Sequence, residues 1–139
     1  MPSPDEPLTG SCACGAVAFE VTAPFATAGY CHCKRCQRRS GALWLFNAQV
    51  PTEGFAIVRG AESVRTWAPP EGLPKAFCGE CGGHLYSDGG ATKGVRLGAV
   101  DGDPGIRPQW RQWLDSAPDW EAVPDDGLPR YPQGRAAQA

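Results

Sequence analysis

Apolar and polar residues alternate in short runs along this chain, and nowhere does a helical period persist. The clearest run sets Val17, Phe19 and Val21 against Ala18 and Glu20. That period of two predicts a half-buried strand over residues 16–21. Residues 25–30, after the interruption at Pro24, read as a return strand leading into Cys31. An apolar run over 43–50, ended by Pro51, predicts a buried strand. Residues 55–59 and 63–67 predict two more around a turn at Gly60. Residues 75–77 lead into a glycine-rich knuckle at 78–83, and two further strands are expected at 84–87 and 95–100, parted by the Gly89-Gly90 turn. The polar residues 37–41 predict no more than one helical turn or a loop. Beyond Asp101 the pattern weakens. Trp110, Trp113 and Trp120 are expected to pack over one end of a sheet, because large aromatics mostly serve burial.

Composition sharpens this into a class. With 18 glycines, 14 prolines and one methionine in 139 residues, turns are many, no long helix is expected, and short strands are favoured over a helical bundle. One domain over 10–131 is expected, between a flexible lead at 1–9 and a flexible tail at 132–139. A formal charge of −2 gives no reason to expect nucleic acid, whose binders carry a basic face. The first ten residues lack the apolar run of a signal peptide, and no run of about 18 apolar residues occurs, so a cytoplasmic protein with no membrane partner is expected.

Seven cysteines change the picture most. In a reducing compartment such a count points to metal rather than disulfides, and an odd number suits intramolecular pairing badly. Cys31, Cys33 and Cys36 lie within six positions and can converge on one centre unaided. Cys12 with Cys14, and Cys78 with Cys81, are the C-x-C and C-x-x-C pairs from which closed four-thiolate sites are built. Structural zinc takes four protein ligands, whereas a catalytic zinc takes three and keeps a position for water or substrate. The seven therefore divide most simply into a closed four and an open three. The alternative adds a fourth protein ligand to the triplet, with His84 and His32 as the recruits. His32 lies between two cysteines of an extended segment, where neighbouring side chains point to opposite sides. A place beside the site or in solvent suits it better than ligation. Lys34, Arg35, Arg38 and Arg39 form a local basic cluster, read either as a solvated turn or as an anion-recognising rim.

Taken together, G-S-C-A-C-G, C-H-C-K-R-C-Q-R-R-S-G and F-C-G-E-C-G-G-H-L closely resemble the glutathione-dependent formaldehyde-activating (GFA) family, which shares a domain with the centromere protein V group. The resemblance runs from Gly10 to about Tyr131, through D-S-A-P-D-W and D-D-G-L-P-R-Y. It implies a mainly β, Mss4-like fold of small antiparallel sheets stapled by zinc. It implies two zinc ions per chain, a structural one on Cys12, Cys14, Cys78 and Cys81 and a catalytic one on Cys31, Cys33 and Cys36. The implied reaction adds the thiol of glutathione, a co-substrate, to formaldehyde, formally a carbon–sulfur lyase in reverse. Lys34, Arg35 and Arg38 are then the candidates to meet glutathione carboxylates. The competing reading is a zinc-stabilised glutathione carrier or protein-binding module without catalysis. A methionine sulfoxide reductase, which shares the fold, needs a nucleophilic cysteine outside its metal site, and every cysteine is already assigned.

Overall fold

Short alternating runs make short strands, and the computed structural model, which describes residues 1–135, is mainly β. Its strands are β1 (Leu8–Ser11), β2 (Ala18–Val21), β3 (Thr27–Cys31), β4 (Leu45–Pro51), β5 (Phe55–Arg59), β6 (Val64–Trp67), β7 (Lys75–Cys78), β8 (His84–Asp88), β9 (Thr92–Arg96) and β10 (Arg111–Gln112). A single α-helix among the described residues, α1 (Lys34–Ser40), follows β3. Among the described residues no helix is long and apolar enough to cross a membrane. The chain forms two compact units, one from residues 1–27 and 48–106, the other from 28–47 and the chain from Arg107 onward.

In the first unit β1, β2 and β5 form an antiparallel sheet in that order. The second half of β4 is followed by β9, β8, β7 and β6. Val17, Phe19 and Val21 are fully buried, as the alternation predicts. The Phe19 ring meets Phe55 at 5.3 Å between centroids, and Phe55 meets Tyr86 at 4.9 Å. Val50, Leu85 and Val95 complete this core. Each such side chain contributes about 1.5–3 kcal/mol by leaving water.

Three expectations are corrected. Leu8–Ser11 is a strand that sequence reading left as lead and knuckle; it pairs residue for residue with β2, Leu8 opposite Val21 and Ser11 opposite Ala18. The strand expected at 95–100 lies at Thr92–Arg96, and the chain then enters a 3-10 turn at Leu97–Ala99. The apolar alternation misleads there because Arg96 faces inward. Its guanidinium donates to Ser87 Oγ at 2.8 Å and to the Gly94 carbonyl at 3.1 Å. The turn expected at 37–41 is instead the helix α1, in a run rich in good helix formers. Cys33 caps its start, its sulfur accepting the Cys36 N–H at 3.3 Å, and Gly41 closes it by donating to the Gln37 carbonyl at 2.7 Å.

In the second unit β10 runs parallel to β3, which neighbours the first half of β4. Tyr30 N–H donates to the Trp110 carbonyl at 3.0 Å, and Gln109 N–H to the Ala28 carbonyl at 2.9 Å. On the side of β10 away from β3, Arg111 N–H donates to the Pro129 carbonyl and Tyr131 N–H to the Arg111 carbonyl, both at 2.9 Å. The D-D-G-L-P-R-Y segment is thereby stitched to β10. Of the three tryptophans expected to pack over a sheet, Trp110 lies against Gly29 on β3. Trp113 (38% exposed, φ 60°) and Trp120 (73% exposed) do not pack as expected, because both lie past the end of β10 in segments that form no strand. Of the tail expected at 132–139, residues 136–139 lie outside the described residues.

Arg111 is 3% exposed, and its charge is matched by Asp126, whose Oδ2 accepts from Nε at 3.0 Å and Nη2 at 2.8 Å. That hydrogen bond is the main reason the Asp126 carboxyl is held below the usual carboxylate range.

A Cβ on Gly29 would stand 2.1 Å from Trp110 Cε2, so Gly29→Ala must displace the indole. The expected loss is about 1–3 kcal/mol, as for other overpacked cores, read as a lower urea midpoint with altered tryptophan emission; an unchanged midpoint refutes the contact. A second expectation concerns acid. A carboxyl whose folded pKa is depressed contributes stability that is complete above its unfolded value, about 3.9, and is lost as pH falls through the folded value. Asp126→Asn should therefore flatten the fall in stability below about pH 4. Denaturation midpoints of the two proteins between pH 6 and pH 2 that run parallel would rule this out.

Candidate functional site

All seven cysteines are free thiols, and the fold gathers them into two groups. Cys12, Cys14, Cys78 and Cys81 come together in the first unit, and Cys31, Cys33 and Cys36 in the second. Within each group the sulfurs lie within 4.8 Å of one another.

The group of four is built from two tight turns. Cys12 follows β1, Cys78 ends β7, and Gly15 and Gly82 take φ of 81° and 77°, which side chains with a Cβ rarely adopt. These turns aim main-chain amides at sulfur. Val17 N–H donates to Cys12 Sγ at 3.3 Å, Glu80 N–H to Cys78 Sγ at 3.3 Å and Gly83 N–H to Cys81 Sγ at 3.4 Å. The Cys14 and Gly83 amides are the main reasons the Cys81 thiol is pushed down to about 6. Cys12 and Cys14 sulfurs are 3.7 Å apart, and those of Cys14 and Cys78 are 3.9 Å apart. A tetrahedral ion with sulfur at about 2.3 Å, the distance zinc takes, has edges of about 3.8 Å. Spacing and amide donors both fit a fully ligated metal ion.

The group of three stands where β3 runs into α1. Cys31 is the last residue of β3 and Cys33, in extended conformation (φ −62°, ψ 152°), is the cap of α1. Cys36 lies one turn into the helix, so strand and helix bring the three sulfurs together. Hydrogen bonds from Cys31 and Cys36, then the Cys36 amide and the Arg35 charge, hold the Cys33 thiol far below its ordinary value despite burial. The same neighbours and burial push Cys31 up. Among the described residues no histidine or carboxylate joins either group.

Neither histidine is placed among the ligands. His84 lies on β8. His32 is not grouped with the thiols and is fully buried, not in solvent, its ring against Trp44 at 5.1 Å between centroids. Burial first, then the Arg111 and Arg130 charges, lower its pKa to about 4, so the ring is neutral near pH 7. Of the basic candidates, Arg35 is half-buried and acts on Cys33, while Lys34 and Arg38 are exposed. Lys34 Nζ donates to Gln37 Oε1 at 3.1 Å.

Sequence reading missed the residues that hold this segment. The Gln37 side-chain amide donates to the carbonyls of His32 at 2.8 Å and Ser116 at 2.9 Å, and Arg111 Nη1 lies 3.2 Å from His32 Nε2. Those partners are up to 79 positions apart, so no local period reveals them. The nearest signal was the terminal D-D-G-L-P-R-Y, which contains Asp126.

Residues 7–116 match the family described as glutathione-dependent formaldehyde-activating enzyme. A Sordaria macrospora protein named for glutathione-dependent formaldehyde activation is 29% identical over 89 residues, which is 60% of this chain and 38% of that protein. This chain thus spans well under half of that relative's length. A crystal structure of a Rhodobacter sphaeroides protein superposes with a TM-score of 0.57 at 26% identity, covering 88% of this chain and 98% of that one. With both groups of thiols inside the matched span, the chain belongs to the glutathione-dependent formaldehyde-activating enzyme family.

Proposed function

We propose that this protein is a zinc enzyme of carbon–sulfur bond chemistry that joins glutathione, or a related thiol, to formaldehyde. The observation that carries this reading is the unequal division of the thiols: four converge on a point they can close, three on a point they cannot. Cys12, Cys14, Cys78 and Cys81 would hold a structural zinc ion, and Cys31, Cys33 and Cys36 a catalytic one. A zinc ion with three protein ligands supplies a Lewis-acidic position that can take a thiolate or polarise a carbonyl. That all seven thiols are free suits a reducing compartment, the cytoplasm.

In the reaction the thiol loses its S–H proton, a sulfur–carbon bond forms, the carbonyl π bond opens and its oxygen is protonated, giving the S-hydroxymethyl thiol. The protein's own part is to collect and orient. Arg35, beside Cys33, with Lys34 and Arg38 on the exposed side of α1, forms a cationic rim for the carboxylates of glutathione. Family membership supports the substrate pair; the basic run along α1 supports an anionic thiol.

Cys33→Ala should lose one zinc ion per chain and stay folded, whereas Cys78→Ala should lose the other and unfold at lower temperature. Metal analysis with circular dichroism on both variants decides this, and equal loss of folding would sink the two roles. Catalysis is read by exchange NMR of labelled formaldehyde with glutathione, and a rate no higher than the spontaneous one would leave a carrier. For the rim, Arg35→Met should weaken use of glutathione roughly ten- to hundredfold, the cost of a charge-assisted hydrogen bond, and leave 2-mercaptoethanol unaffected. Equal effects on both thiols would remove Arg35 from recognition.

A further inference from the structure

His32 separates two thiols that face the same side, and it is held from several directions at once. Its N–H donates to the Gln112 carbonyl at 2.9 Å, its carbonyl accepts from the Gln37 amide at 2.8 Å, and its ring lies against Trp44. The remaining hold is Arg111, whose Nη1 is 3.2 Å from His32 Nε2. A guanidinium has donors only, so Nε2 accepts and the ring proton sits on Nδ1. That nitrogen is buried with no hydrogen-bond partner among the described residues, so this tautomer leaves a donor unsatisfied. The guanidinium is itself fixed, by Asp126 on one edge and by the faces of Tyr30, 4.2 Å from its ring centroid, and Trp44, 5.2 Å away. An apolar side chain could fill this space without desolvating a charge, so the buried arginine calls for a reason tied to its donors.

We propose that Arg111, anchored by Asp126, is a positioning residue for the three-cysteine site. By donating to Nε2 it fixes the His32 tautomer and ring plane. On an extended segment the side chains on either side of a residue point opposite to it, so fixing His32 fixes the direction of Cys31 and Cys33 together. The proposal rests on reading that triplet as a metal site; it does not depend on which thiol or aldehyde reacts there.

The test begins with the zinc-loaded wild type. Nitrogen-15 spectra of the His32 ring at neutral pH should show a proton on Nδ1, and a proton on Nε2 would end the proposal. The paired variant Arg111→Met with Asp126→Asn removes donor and counter-ion together and leaves no unpaired buried charge. It should stay folded and keep one zinc ion as tightly as wild type. The other ion should bind roughly 10–100-fold more weakly in chelator competition, as when a group behind a metal ligand is lost. The His32 ring should then shift to a mixture of tautomers. Wild-type affinity for both ions, or an unchanged tautomer, would overturn the proposal. Should the pair unfold, Asp126→Asn alone carries the test, with a several-fold loss confined to the triplet expected and unchanged affinity overturning it. Adduct formation assayed in parallel keeps the two questions apart: an inactive wild type retires the functional reading and leaves the affinity comparison standing.

Discussion

Main-chain amides aimed at sulfurs, which stand at spacings a tetrahedral metal ion could bridge, organise the turns of the first unit. Two thiolates about 4 Å apart repel by about 4 kcal/mol at an effective dielectric of 20, and sulfurs in this group lie 3.7 and 3.9 Å apart. Amides from Val17, Glu80 and Gly83 already point at three of them, and such donors favour the charged form. The fold thus places its donors where thiolates around a metal ion would use them. Where that ion binds, it ties the end of β1 to the end of β7, joining a three-stranded sheet to the strands beyond it within one unit.

The second unit handles its sulfurs differently. Cys33 takes a helix-capping bond from Cys36 N–H and lies under the influence of Arg35, where β3 gives way to α1. A group of three suits a site that must exchange what it holds. A closed group of four suits one that must not.

Much of this was legible in the chain. Val17, Phe19 and Val21 announce β2 because one face of that strand meets core and the other does not, and the thiol grouping follows from ligand counting. The failures share a cause. Leu8–Ser11 is a strand because β2 supplies its partner, and its own glycine and threonine say little. Arg96 broke an apolar pattern that looked continuous, because its guanidinium finds Ser87 across the sheet. Arg111 and His32 were invisible as a pair, since only the fold of the second unit brings them together. Periodicity reports which face is buried; it does not report which buried polar group answers another.

That distinction bears on how an open metal site can be made rigid at all. Four ligands constrain one another through the ion they share, so a closed site largely positions itself. Three ligands leave the ion free to tilt toward the unfilled side unless their backbone is held from behind. In this chain the holding falls on His32, pinned through its N–H, its carbonyl and its ring by Gln112, Gln37, Trp44 and Arg111. None of the four is a metal-ligating residue type in either group. An unfilled coordination position would thus move the structural burden from the ligands to the residues behind them, and in this family member those include the buried Arg111 and its partner Asp126, from the last third of the chain.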